Sequence, residues 1–329
     1  MEMTYEEWKE ARRGLKRRLS VPGWTLLIYY AIMNVAVMGT VFVEMVVKMI
    51  GSLASSDPAA MENAMVQASE SAWGYFLAAA VGLLILLLWK KPHFIKEEIF
   101  AKGAPMKAGT FFAILCVFLS GQMLYQILTT LQELLLNSFG FTLMEGLESM
   151  AMDTDNFSMF LYAGILAPIT EELLFRGLIQ RTMLPYGKRF AIFVSSFTFG
   201  LFHGNLIQAP YAFVVGLVLG YVASEYSIGW AMVLHMINNL VLGDMLYRIF
   251  GGLPEEAVNL LIWALILVCT VAAVIVLIVK RKEVGAWRQE NRTAKGYMKC
   301  YFSCAGTIVL LIIMGLNILL TMFLLITPL

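Results

Sequence analysis

Residues 165–181 read ILAPITEELLFRGLIQR, an apolar stretch interrupted by Glu171, Glu172 and Arg176. The apolar run around it extends over roughly 158–180. A spanning helix needs roughly 20 residues to cross a lipid core about 30 Å thick. An ionisable side chain at the centre of such a helix costs roughly 2.5–3.5 kcal/mol on an insertion scale, so three of them so close together demand a reason. Helix geometry sorts them. Glu172 and Arg176 are i,i+4 and can pair on one face. Glu171 is turned about 100° from Glu172 and points elsewhere. One glutamate is then neutralised by the arginine, and the other is left to accept a proton as a general base. Pro168 removes a backbone hydrogen bond to Gly164 and should kink the helix just before the glutamates. The bland alternative is a packing ion pair with a spare glutamate beside a water pocket.

Outward from this stretch, three more apolar runs carry polar groups. Residues 197–205, FTFGLFHGN, place Phe199 and His203 at i,i+4, so the ring can pack over the imidazole. Residues 213–225, FVVGLVLGYVASE, carry Gly216 and Gly220, a GxxxG face that permits close helix contact. Residues 233–244, VLHMINNLVLGD, place His235 and Asn239 on one face with Asn238 nearby. A histidine and an amide one turn apart can hold a developing oxyanion, or can simply bond between helices. Of the three histidines, only His93 lies outside these runs, in a basic loop. Gln122, Gln126, Gln132 and Glu133 form a further polar set, read as interhelical glue or as the lining of a cavity. Glu44 and Lys48 are spaced to pair.

The whole chain fits a membrane. It has 329 residues, 60% hydrophobic and 14% charged, against about 25% charged in a soluble domain. Nine apolar runs are expected to span: 22–50, 73–89, 109–136, 158–180, 189–206, 208–224, 228–249, 258–280 and 301–327. The reading is all-α, a polytopic transmembrane helix bundle. Its parts are a basic amphipathic segment at 1–20, three helices in 21–157, a four-helix core at 158–249, and two helices in 250–329 around the basic loop 281–299. Loops 51–72, 137–157 and 250–257 lack Lys and Arg, whereas 90–108 and 281–299 are rich in them. The positive-inside rule then places the N-terminus in the cytosol and the C-terminus outside. The charged start, MEMTYEEWKEARRGLKRRLS, does not read as a signal peptide. The four cysteines form no disulfide framework; Cys300 and Cys304 read as reduced thiols near the cytosolic interface. Nothing demands a eukaryotic membrane, and a bacterial plasma membrane is the expected location.

Together, Glu-Glu-x-x-x-Arg at 171–176, Phe-x-x-x-His at 199–203 and His-x-x-x-Asn at 235–239 resemble the CPBP (Abi) intramembrane proteases, which include CAAX prenyl endopeptidases and bacteriocin-processing relatives. The resemblance covers roughly 158–249. It implies that Glu171 activates a water with help from His203. His235 and Asn239 would stabilise the oxyanion, and Glu172 and Arg176 would brace the site, with Phe199 supporting it. It implies a membrane-associated peptide or protein substrate in a lipid bilayer, with room for a membrane partner protein and no nucleic acid. No cofactor is favoured. The alternative is Zn held by Glu171, His203 and His235, although HExxH is absent and Asn239 is a poor ligand. Two other functions compete: a non-catalytic membrane regulator of the same family, and a transporter using buried Glu and His as a proton relay. No inverted repeat supports the transporter.

Overall fold

The computed structural model describes residues 4–53, 71–89, 94–146 and 156–329. His93, Lys90, Lys91 and the loop acids Asp57, Glu62, Glu70, Glu148, Asp153 and Asp155 lie outside the described residues. The chain is a helix bundle. Helix α1 (Tyr5–Leu19) starts at a capping box, in which Thr4 and Glu7 satisfy each other's backbone N–H groups, and it ends in Lys16, Arg17 and Arg18. The cations complement the carbonyl end of the helix. Ser20 joins α1 to α2 (Val21–Leu53), followed by α3 (Trp73–Trp89). Next come α4 (Ala108–Asn137) and α5 (Phe157–Tyr186), then α6 (Lys188–Phe202) and α7 (Gln208–Glu225). Helix α8 covers 228–249, and α9 (Glu255–Val279), α10 (Arg281–Glu290), α11 (Tyr297–Phe302) and α12 (Ala305–Leu325) complete the bundle. The two short strands, β1 (Phe141–Thr142) and β2 (Thr327–Pro328), pair antiparallel.

Among the described residues, five helical stretches are long and apolar enough to cross a membrane: Tyr5–Gly51, α4, α5, α9 and α12. Helix also covers most of the other four runs expected to span, but these helices are shorter or less apolar. The largest departure is α6. The apolar run covers 189–206, yet the helix stops at Phe202 after 15 residues, about 22 Å of helix, short of the ~30 Å core. The cause is local. Gly204 turns at φ +68, a conformation that favours glycine. Asn205 Oδ1 then accepts from the backbone N–H groups of Ile207 (3.2 Å) and Gln208 (2.7 Å), starting α7. The His-Gly-Asn triplet is a turn inside the bundle, not the end of a span. Asn317 on α12 holds that turn: it accepts from Tyr30 of α2 at 3.0 Å and donates to the Gly204 carbonyl at 3.3 Å. The last helix therefore does more than pack.

The bundle has two distinct ends. At one, Lys188 and Trp287 both donate to Glu225, at 2.6 and 2.9 Å, and Arg189 reaches the Arg288 carbonyl. Lys16 bonds the Ser303 carbonyl there. At the other, Ser71 donates to Glu44, Glu133 receives Thr142 and the Leu143 N–H, and Leu329 bonds Gly140. Among the described residues, the parts of the Lys/Arg-rich connections thus gather at one end and those of the connections lacking Lys and Arg at the other. Between them, α9 exposes Leu267, Val268, Val271, Val274 and Ile275, an apolar belt suited to lipid.

Candidate active site

Helix α5 is not uniform. It has a π stretch at Tyr162–Leu166, a regular turn at Ala167–Glu172 and a second π stretch at Leu173–Gln180. Pro168 opens the regular turn, and the Ala167 N–H reaches back to the Tyr162 carbonyl. The break expected at the proline is absorbed as widened turns, a common device beside functional side chains.

The two glutamates part as their spacing predicts. Glu172 is sealed, its side chain 0% exposed, and its Oε1 accepts from Arg176 Nη1 at 2.9 Å. The Glu171 side chain is 18% exposed and lines a cavity of about 440 Å³. His203, Asn238 and Asn239 line the same cavity. His235 joins the two carboxylates: Nδ1 donates to Glu172 Oε1 at 3.0 Å, and Nε2 lies 3.7 Å from Glu171 Oε2. Glu172 therefore holds His235 as well as Arg176. His203 Nδ1 is 2.9 Å from the Phe199 carbonyl. A carbonyl only accepts, so this nitrogen carries the proton and Nε2 of the neutral ring keeps its lone pair. Phe199 sits at the centre. Arg176 lies 4.4 Å from its ring centroid, and His203 and His235 meet it edge-on at 4.8 and 5.7 Å.

Asn239 is placed differently from a freely aimed donor. Its Nδ2 donates to the Ala163 carbonyl at 3.0 Å, and its Oδ1 accepts from Asn238 at 3.1 Å. One amide hydrogen is thereby committed to α5, and the second remains for the cavity side. The far wall is polar as well. Gln122 donates to Tyr211 (2.7 Å) and to Asn238 (3.0 Å), and Tyr211 donates to Asn238 (3.0 Å). Of the α4 polar set, then, Gln122 lines the cavity, whereas Glu133 serves the turn at Thr142. Glu44 receives Ser71. Met33 of α2 and Tyr75 of α3 also line the cavity, so the first three spans help to build it.

Gly216 and Gly220 bring α7 against α5. Arg176 Nη2 donates to the Gly216 carbonyl at 3.2 Å, and Gln180 Nε2 donates to the Gly220 carbonyl at 2.9 Å. A Cβ on Gly216 would stand 3.2 Å from Arg176 Nη2, Phe199 Cδ1 and Ser196 Cα. Gly216→Val is therefore expected to destabilise the chain by about 1–3 kcal/mol. Gly315→Val on α12, where nothing lies within 4 Å, should cost far less. Unfolding midpoints of the two variants in the same detergent check this; equal shifts would contradict it.

Among the described residues no three His, Cys, Asp or Glu side chains form a group that could hold a metal ion. Cys304 Sγ contacts the Cys300 carbonyl at 2.9 Å, and all four cysteines are free.

Residues 153–241 match the family model described as Type II CAAX prenyl endopeptidase, Rce1-like, of the CPBP/Abi group. The matched segment contains Glu171, Glu172, Arg176, His203, His235 and Asn239. No curated protein and no solved structure matches the chain.

Proposed function

We propose that this chain is an intramembrane endopeptidase that hydrolyses a peptide bond of a membrane-associated protein or peptide with a glutamate-activated water. One observation carries the reading: of two adjacent glutamates, Glu172 is wholly buried with Arg176, while Glu171 opens onto the cavity shared with His203 and Asn239. Glu171 takes a proton from the water as its oxygen attacks the scissile carbonyl. The lone pair on His203 Nε2 steadies that water. The oxyanion is met by the free amide hydrogen of Asn239 and, when His235 is protonated, by its Nε2–H. Glu171 then returns the proton to the departing amine, so the C–N bond breaks with no net change at the protein. Glu172 fixes the His235 ring through Nδ1, as a second carboxylate orients many active-site histidines. The metal-free version is preferred on the donors. Both histidine rings keep Nε2, the nitrogen a metal would take, but among the described residues no three His, Cys, Asp or Glu side chains gather as a ligand set.

The test is turnover by the purified full chain in proteoliposomes on a quenched peptide library, with metal analysis of the same sample. Cleavage independent of chelators is expected. Stoichiometric zinc lost together with activity would replace the proposed mechanism, and a well-folded chain that cuts nothing would favour a non-catalytic regulator.

A further inference from the structure

The cavity has a direction. Tyr75 opens α3, Tyr162 lies in the first turns of α5, His203 follows the end of α6, and Gln208 opens α7; all four line the cavity. Each of those helix ends belongs to the end of the bundle whose connections lack Lys and Arg. On α5, α6 and α7 no lining residue comes from the half nearer the Lys/Arg-rich connections, and on α8 the lining residues are Asn238 and Asn239, at mid-helix. There the bundle is shut. Arg176, Phe175 and Leu219 are 0% exposed, and Phe199 and Leu178 are 1% exposed. A peptide approaching from the basic end would have to displace the close-packed contact of α5, α6 and α7, including the Glu172–Arg176 pair.

We infer that the cavity is reached from the end whose connections lack Lys and Arg, which the positive-inside rule puts outside the cytosol, and that its substrate is an exported polypeptide segment rather than a cytosolic C-terminal tail. The walls suit a polypeptide. Tyr125, Tyr162 and Tyr211 offer flat faces, and the Gln122 amide oxygen and one Asn238 amide hydrogen are left for a backbone. The nature of the substrate rests on the peptidase reading; the direction of access does not.

The experiment uses the full chain with its four native cysteines replaced by alanine and one cysteine introduced at a time. Tyr75→Cys and Met33→Cys report on the cavity. Ser138→Cys reports on the end whose connections lack Lys and Arg and Glu290→Cys on the basic end, both at exposed positions. A membrane-impermeant maleimide is applied to intact cells and to inverted vesicles. Tyr75→Cys and Met33→Cys should label in intact cells together with Ser138→Cys, while Glu290→Cys labels only in inverted vesicles. Labelling of the cavity positions from the vesicle side would overturn the inference. So would labelling from neither side when a permeant maleimide succeeds, because access would then be through lipid. The readout needs no hydrolysis, so a chain that labels as expected but cuts nothing would refute the peptidase reading and the substrate class while leaving the direction of access standing.

Discussion

Glu171→Gln is expected to lower turnover by about 10²–10⁴-fold, the usual contribution of a general base, with little effect on folding. The substitution keeps size and shape and removes only the ability to take a proton. Among the described residues Glu171 makes no ion pair closer than 3.7 Å, to His235, and its side chain is partly open to the cavity. Little structure therefore depends on its charge. Unfolding midpoint and turnover should part company in this variant: the first near the parent, the second near background. Glu171→Asp should restore a fraction of the rate, because the carboxylate returns but sits one methylene short. A Glu171→Gln variant that cuts at the parental rate would end the glutamate mechanism. One that fails to fold would show that Glu171 belongs to the brace instead.

Much of this candidate site is legible in the amino-acid sequence. The i,i+4 spacing of Glu172 and Arg176, and the 100° offset of Glu171, are consequences of helix pitch, and the pair and the open carboxylate follow from them. The polar row continues with Gln180, one turn past Arg176, and its bond to Gly220 is the same contact repeated. That bond follows from the same periodicity. Less is legible where the chain leaves the helix. A histidine beside Gly204 and Asn205 reads as the end of a span, but only the positive φ at Gly204 and the Asx bonds of Asn205 show the turn. The latch from Asn317 and the bonds from Gln122 to Tyr211 and Asn238 join residues far apart in the chain. No local pattern encodes such contacts. A single glutamine in an apolar run looks the same whether it glues helices or lines a cavity. The second role of Glu172, holding His235, is tertiary in the same way.

That second role makes the buried pair the place where the fold itself should be most sensitive. Arg176 and Glu172 are both wholly buried, and the Arg176 guanidinium bonds Glu172 Oε1 through Nη1 and the Gly216 carbonyl through Nη2. Removing one member strands the other in a low-dielectric interior, which costs about 3–5 kcal/mol. Arg176→Met leaves the Glu172 carboxylate with His235 alone. Glu172→Gln leaves the guanidinium with only neutral acceptors and the face of Phe199. Both single variants should lower the unfolding midpoint sharply and reduce the yield of folded protein. The double variant Glu172→Gln/Arg176→Met removes both charges and keeps an amide oxygen for the His235 Nδ1–H. It should be less damaged than the two losses summed, by a coupling of about 0.5–3 kcal/mol for residues in one network. Midpoints for the parent, both singles and the double, measured by titrating a folded micellar sample with SDS, close the cycle. Strict additivity would mean that the two side chains are stabilised independently. If instead the double variant regains the fold but not turnover, Glu172 and Arg176 do two separable things: they hold α5 against α7, and they fix the His235 ring that faces Glu171.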